Sequence, residues 1–113
     1  MHELSVTREL IDIAVEKARE AEAKQITRIN LVLGEKAGVN ADCVQFYFDY
    51  MSADSIASGA TLSFKRIPLS VRCRKCGATF SPDELLWQCP DCGQWDAQIT
   101  GGREFYIDSI EVD

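Results

Sequence analysis

A chain of 113 residues, 46% hydrophobic and 27% charged, makes one ordinary domain or a small domain carrying a smaller module, and its mixture of charges argues against disorder. Its net charge of −6 speaks against a nucleic-acid partner held through phosphates, because there is no cationic excess to release counterions. No apolar run approaches the length of a bilayer span and the opening residues are too polar for a signal peptide, so a cytoplasmic protein with no membrane association is expected.

From Leu4 to about Ala23 the chain has a helical period. Leu4, Thr7, Ile11, Ala14, Ala18 and Ala21 recur at steps of three and four, with Leu10 and Val15 widening the stripe. Thr27 to Gly34 alternates, Ile29, Leu31 and Leu33 against Arg28, Asn30 and Val32, which predicts a strand. After a turn over Gly34 to Gly38, Asn40 is placed to cap a second helix over about Ala41 to Ala53, with Val44, Tyr47, Phe48 and Met51 as its inner stripe. Thr61 to Leu69 reads as a second strand, with Pro68 suited to its end or to an edge. Arg103 to Asp113 reads as a third with a phase problem, since Phe105 and Ile107 share one parity and Ile110 and Val112 the other. A one-residue bulge near Asp108-Ser109 would turn all four toward one core.

Between the second and third strands, Val71 to about Gln98 differs in composition. It holds four of the five cysteines, both tryptophans and two of the three prolines, but few aliphatic residues. The organisation is α+β, in two pieces around a metal-stapled insert. The insert is 71–98 and the surrounding discontinuous domain is 1–70 with 99–113.

Cys73-Arg-Lys-Cys76-Gly77 and Cys89-Pro-Asp-Cys92-Gly93 form two pairs, with twelve residues between Cys76 and Cys89. A two-residue gap lets both sulfurs of each knuckle reach one ion. The following glycine can take φ > 0 and turn backbone N–H groups toward the sulfurs. Four thiolates in a closed set indicate a structural tetrahedral site, with one Zn²⁺ per chain. Similar Cys-Pro-x-Cys-Gly knuckles hold iron in rubredoxin-like proteins, and spacing does not separate the two metals. The long α+β body with no evident electron-transfer role favours zinc. Metal binding here would also be folding free energy, which an insert poor in core residues needs. Trp87 and Trp95 are expected to cover the knuckles, and Cys43 to be a small buried hydrophobe.

The only histidine is His2. The Met1 amine with the amide and imidazole nitrogens of His2 could close two fused chelate rings, a set suited to square-planar Ni(II) or Cu(II). No Ser/His/Asp set and no glycine-rich phosphate loop is present, so the chain is not expected to be an enzyme. The competing reading is a zinc-ribbon adaptor with an incidental His2, supported by the small basic patch of Arg72, Arg74 and Lys75.

The whole chain resembles the hydrogenase nickel-incorporation (HypA) family, the nickel metallochaperones of [NiFe]-hydrogenase assembly. The resemblance rests on Met1-His2-Glu3-Leu4-Ser5, Leu33-Gly34-Glu35, Phe46-Tyr47-Phe48, the two knuckles and Ile110-Glu111-Val112. It implies a nickel domain whose three-stranded sheet is flanked by two helices, with a zinc-ribbon-like Cys₄ domain inserted before the last strand. It also implies Ni²⁺ as a transient cargo on Met1, His2 and Glu3, the last donating from backbone or carboxylate, and zinc on Cys73, Cys76, Cys89 and Cys92. The partners implied are the hydrogenase large subunit and a maturation GTPase, the chain itself being a monomer or weak homodimer. Some relatives carry an Asp where this chain has Asn40, with Asp42 two residues on. Asn offers a carbonyl oxygen but no charge, so this loop is not assigned a nickel ligand.

Overall fold

The computed structural model describes residues 3–82 and 87–113. Its elements are α1 (Glu3–Glu20), β1 (Ile26–Gly34), α2 (Ala41–Met51), β2 (Thr61–Ile67), β3 (Ser70–Cys73), β4 (Thr79–Phe80), β5 (Ala97–Gly101) and β6 (Phe105–Val112). They form two three-stranded sheets, in the orders β2-β1-β6 and β4-β3-β5. The chain divides into two compact units. One comprises Met1–Val32, Val39–Lys65 and Phe105–Asp113, the other Leu33–Gly38 and Arg66–Glu104.

In the first unit both helices and the β1 face bearing Ile29 and Leu31 share one core. Leu10, Ile11, Ala14 and Ala18 of α1 meet Val44 and Phe48 of α2 there, with Leu62 of β2 completing it. The opposite face of β1 is polar. Arg28 lies 3.5 Å from the Glu111 carboxylate, and the Asn30 amide donates to Ser109 and Glu111 across to β6. One apolar and one polar side is what strict alternation along β1 dictates. Ile26 and Val32 depart from it, being 0% and 5% exposed on the polar parity.

Helix α1 stops earlier than its apolar stripe implies. Glu22 adopts φ 56°, the Ala23 N–H donates to the Ala18 carbonyl at 2.9 Å, and the Glu22 N–H donates to that of Arg19 at 3.0 Å. This is a Schellman ending with glutamate in the left-handed position that glycine usually fills. Ala21 therefore lies outside the helix, and Leu4 at its other end is 55% exposed rather than in the stripe. Helix α2 begins as expected, the Asn40 Oδ1 accepting from the Cys43 N–H at 3.1 Å. Tyr47 is not on its inner face: Ala41, Val44 and Phe48 are the buried residues, and Tyr47 sits half-buried against the Phe46 ring.

Strand β6 shows the expected change of phase, with Asp108 and Ser109 consecutively exposed and Phe105, Ile107 and Ile110 all packed on the core. Val112 does not join them and remains 38% exposed.

The second unit is built on β3, which pairs antiparallel with β4 (Val71 opposite Phe80) and with β5 (Val71 opposite Ile99). Leu33, Leu69, Val71, Cys73 and Cys89 are its buried apolar residues among those described. The end of β1 contributes through backbone. The Gly34 N–H donates to the Glu104 carbonyl and the Lys36 N–H to that of Gly102, each at 2.6 Å. The Glu35 N–H donates to Ile67 at 2.7 Å, and the Glu35 carboxylate accepts from the Leu69 N–H at 3.0 Å. Gly34 packs so closely on Gly102 that a Cβ there would fall inside contact distance of the Gly102 carbonyl and 2.7 Å from the Arg103 nitrogen. Glycine is required by close backbone approach.

Candidate metal centre

The four cysteines predicted as ligands converge. Their sulfurs all lie within 4.8 Å of one another, with Cys73 and Cys92 at 3.6 Å and Cys76 and Cys89 at 3.5 Å. Four sulfurs placed tetrahedrally at a zinc–sulfur distance of about 2.3 Å would stand about 3.8 Å apart, so the set already has the dimensions of a closed Cys₄ site. Iron in tetrahedral thiolate coordination uses a similar cage.

The two knuckles repeat one hydrogen-bond pattern. In the first, the Cys73 N–H donates to the Ala78 carbonyl at 2.8 Å and the Gly77 N–H to that of Cys73 at 2.9 Å. In the second, Cys89 donates to Gln94 at 2.8 Å and Gly93 to Cys89 at 2.9 Å. Gly77 and Gly93 adopt φ of 81° and 75°, the left-handed turn for which the sequence placed glycine there. The leading cysteine of each knuckle is buried and the trailing one exposed.

Electrostatics divide the thiols. The Cys76 N–H directed at its sulfur, helped by Lys75 and the neighbouring sulfurs, lowers the Cys73 thiol to about 7 against the effect of burial. At Cys76 the Ala78 N–H lowers the value, but the Cys89 sulfur, burial and the other two sulfurs outweigh it and push the thiol up to about 12. Cys92 is also raised: burial and the sulfurs of Cys73 and Cys89 outweigh the Gln94 N–H, the largest single influence. Four crowded thiols cannot all ionise without a cation between them, which is the condition a divalent metal relieves.

Around the knuckles the predictions divide. Trp87 is half-buried, whereas Trp95 is 59% exposed and fills no interior. Within the basic patch, Arg74 is engaged, its Nη1 lying 2.7 Å from Asp96 Oδ1.

Of the residues proposed from the sequence for a second metal, Met1 and His2 lie outside the described residues. Glu3 opens α1 and is a charged side chain only 3% exposed. Its Oε2 accepts the Asn40 N–H at 3.2 Å, and its carbonyl accepts the Thr7 hydroxyl at 2.6 Å. The start of α1 is thereby tied to the N-cap of α2, a link across 37 positions that the sequence reading did not anticipate. Its signal was present in Asn40, recognised as a cap, but nothing in sequence spacing shows what a cap's own N–H will find. The Asn40 side-chain oxygen is committed to the Cys43 N–H. Cys43 is half-buried and outside the core cluster, so it is not the small core residue the sequence led us to expect.

A two-helix α+β unit, carried in one chain with a four-thiolate knuckle unit, defines a small metal-binding protein. Residues 1–112 match the family described as hydrogenase/urease nickel incorporation, metallochaperone, hypA, and the chain belongs to that family. It is thus a metallochaperone and maturation factor rather than a catalytic enzyme. The Hydrogenase maturation factor HypA of Dehalococcoides mccartyi (strain CBDB1) is 53% identical over 113 residues, covering 100% of this chain and 95% of the relative. That of Caldanaerobacter subterraneus subsp. tengcongensis is 41% identical over 114 residues, with full coverage of both. Among solved structures, a solution structure of a HypA protein aligns with a TM-score of 0.76 at 27% identity, covering 99% of this chain and 96% of that one. The solution structure of the Ni metallochaperone HypA from Helicobacter pylori aligns with a TM-score of 0.68 at 26% identity, covering 99% and 97%. Among the described residues no helix is long and apolar enough to cross a membrane.

Proposed function

We propose that this chain binds Ni(II) at its N-terminus and delivers it to the large subunit of a [NiFe]-hydrogenase in the cytoplasm, with a maturation GTPase as partner, while Cys73, Cys76, Cys89 and Cys92 hold one structural zinc. The observation that carries the reading is the match of residues 1–112 to a nickel-incorporation family. The nickel donors are the Met1 amine, the amide and imidazole of His2, and Glu3. The terminal domain, 1–70 with 99–113, carries the cargo and 71–98 carries the zinc. The thiolate cage supports this division because it uses four sulfurs and no imidazole, leaving the lone His2 for a second metal. When bound, zinc supplies a cross-link between the two knuckles and no reactivity. The residues around it turn N–H groups toward sulfur and keep Cys73 and Cys89 from water.

Nitrogen donors on a chain end can pass a metal on, whereas a closed cage retains it. Affinity for nickel should accordingly be modest, and copper should displace it in vitro. The test is a nickel titration of the untagged protein beside His2→Ala and a variant extended by a few residues ahead of Met1. Nickel binding should fall by at least about 100-fold in both, while zinc stays near one per chain in all three. Unchanged nickel binding in the two variants would refute the terminal site.

A further inference from the structure

Helix α2 carries a second stripe that the core does not use. Cys43, Phe46, Tyr47 and Tyr50 recur at steps of three and four on the side turned away from Val44 and Phe48. Phe46 is 70% and Tyr50 82% exposed, and the Phe46 and Tyr47 rings meet edge to face at 5.6 Å. Large aromatics left in water on one helix face cost solvation without contributing to the fold, and they are the residues that dominate protein interfaces. The flank of this stripe is acidic: Asp42 and Asp49 are exposed there, and the helix contains no Lys or Arg. A second copy set helix against helix would bring carboxylates together with no Lys or Arg on either helix. A partner with an apolar pocket rimmed by Lys or Arg has the complementary chemistry. The helix also starts at the Asn40 N–H that binds the Glu3 carboxylate, one residue from His2 in the chain.

We propose that this outer face of α2 docks the protein that accepts the metal, through an aromatic anchor inserted into a cation-rimmed pocket beside the cargo end of the chain. This rests on the metal-delivery reading above. The interface places the acceptor at α2 before any metal moves, so docking does not require the nickel donors.

The test uses the metal-free, full-length protein and the nickel-free large subunit of a [NiFe]-hydrogenase. Phe46→Ser/Tyr50→Ser should weaken their association by at least roughly 30-fold, as loss of an aromatic anchor pair does. Asp49→Lys should weaken it about fivefold at low ionic strength, with the difference vanishing in high salt. Both variants should keep wild-type helical content and bind nickel and zinc in wild-type amounts. This separates docking from the terminal site, whose failure would show in the His2 titration alone. The proposal is overturned if the wild type does not bind the large subunit, or if the variants bind it as tightly. It is overturned equally if sedimentation shows a wild-type dimer that the aromatic variant dissolves, or if only maturation-GTPase binding is lost.

Discussion

The two units hold their functional groups in opposite ways. In the knuckle unit the donors are supplied twice by the same short turn, their sulfurs lie 3.5–3.6 Å apart in pairs, and the leading cysteines are buried. In the helical unit the described part of the candidate site is one buried carboxylate whose Oε2 accepts a backbone amide from another helix. The first arrangement would give every donor to a bound metal, and the fold of that unit would then depend on it. The second leaves the fold to an apolar core and keeps the metal off the structural account. On the proposed reading one ion is retained and another surrendered, and the two arrangements would differ in what each loses on demetallation.

The sharpest way to break that contrast is to empty the cage. Cys73→Ser, or zinc removal by a strong chelator, should cost the knuckle unit on the order of 10 kcal/mol of metal-linked folding free energy. The helical unit should keep its far-UV helix signal. Loss of zinc without loss of amide dispersion in residues 66–104 would show that the cage is not structural.

Next comes the glycine contact at the end of β1. Gly34→Ala puts a methyl group against the Gly102 backbone, which cannot rotate away, so destabilisation of about 3 kcal/mol is expected in chemical denaturation. A cost below about 1 kcal/mol would mean the approach relaxes freely.

The pH response probes the terminal donors. The terminal amine and imidazole have ordinary pKa values of about 7.7–8.0 and about 6.5, and both bind metal only after losing a proton. Affinity is therefore lost as pH falls through these values, and the proton released by the coordinating amide steepens the loss to more than roughly 100-fold between pH 7.5 and 6.0. Zinc content should hold over the same interval. Nickel binding that ignores pH would sink the amine-and-imidazole donor set.

The smallest effect concerns the helical unit alone. Glu22→Gly relieves a left-handed residue and should raise thermal stability by less than about 1 kcal/mol, the gain being offset in part by a more flexible unfolded chain.

How much of this was legible in the sequence follows from the kind of force involved. Periodicity found both helices and the three strands of the larger sheet, because burial of one face dictates residue spacing. Ligand spacing likewise found the four cysteines. Strands β3, β4 and β5 were missed because they are two to five residues long, too short for their alternation to stand out from a loop. Tyr47 was misplaced because Phe46-Tyr47-Phe48 offers three aromatics in a row and hydropathy cannot tell which one turns inward. Trp95 was assigned to an interior on size alone. The links made by Gly34, Glu35 and Glu3 each use a backbone N–H, a donor common to almost every residue, accepted by a carbonyl or by a glutamate carboxylate. A pattern of side chains carries no record of them.

The bond from Asn40 to Glu3 has one further consequence. A backbone proton at the start of α2 points at the carboxylate of Glu3, itself one of the proposed cargo donors, so the amide works as a built-in reporter. Any event that pulls the chain's start away from α2 removes its acceptor. Its resonance and its exchange with solvent will then register traffic at the terminus without a label being attached to the amine proposed as a donor.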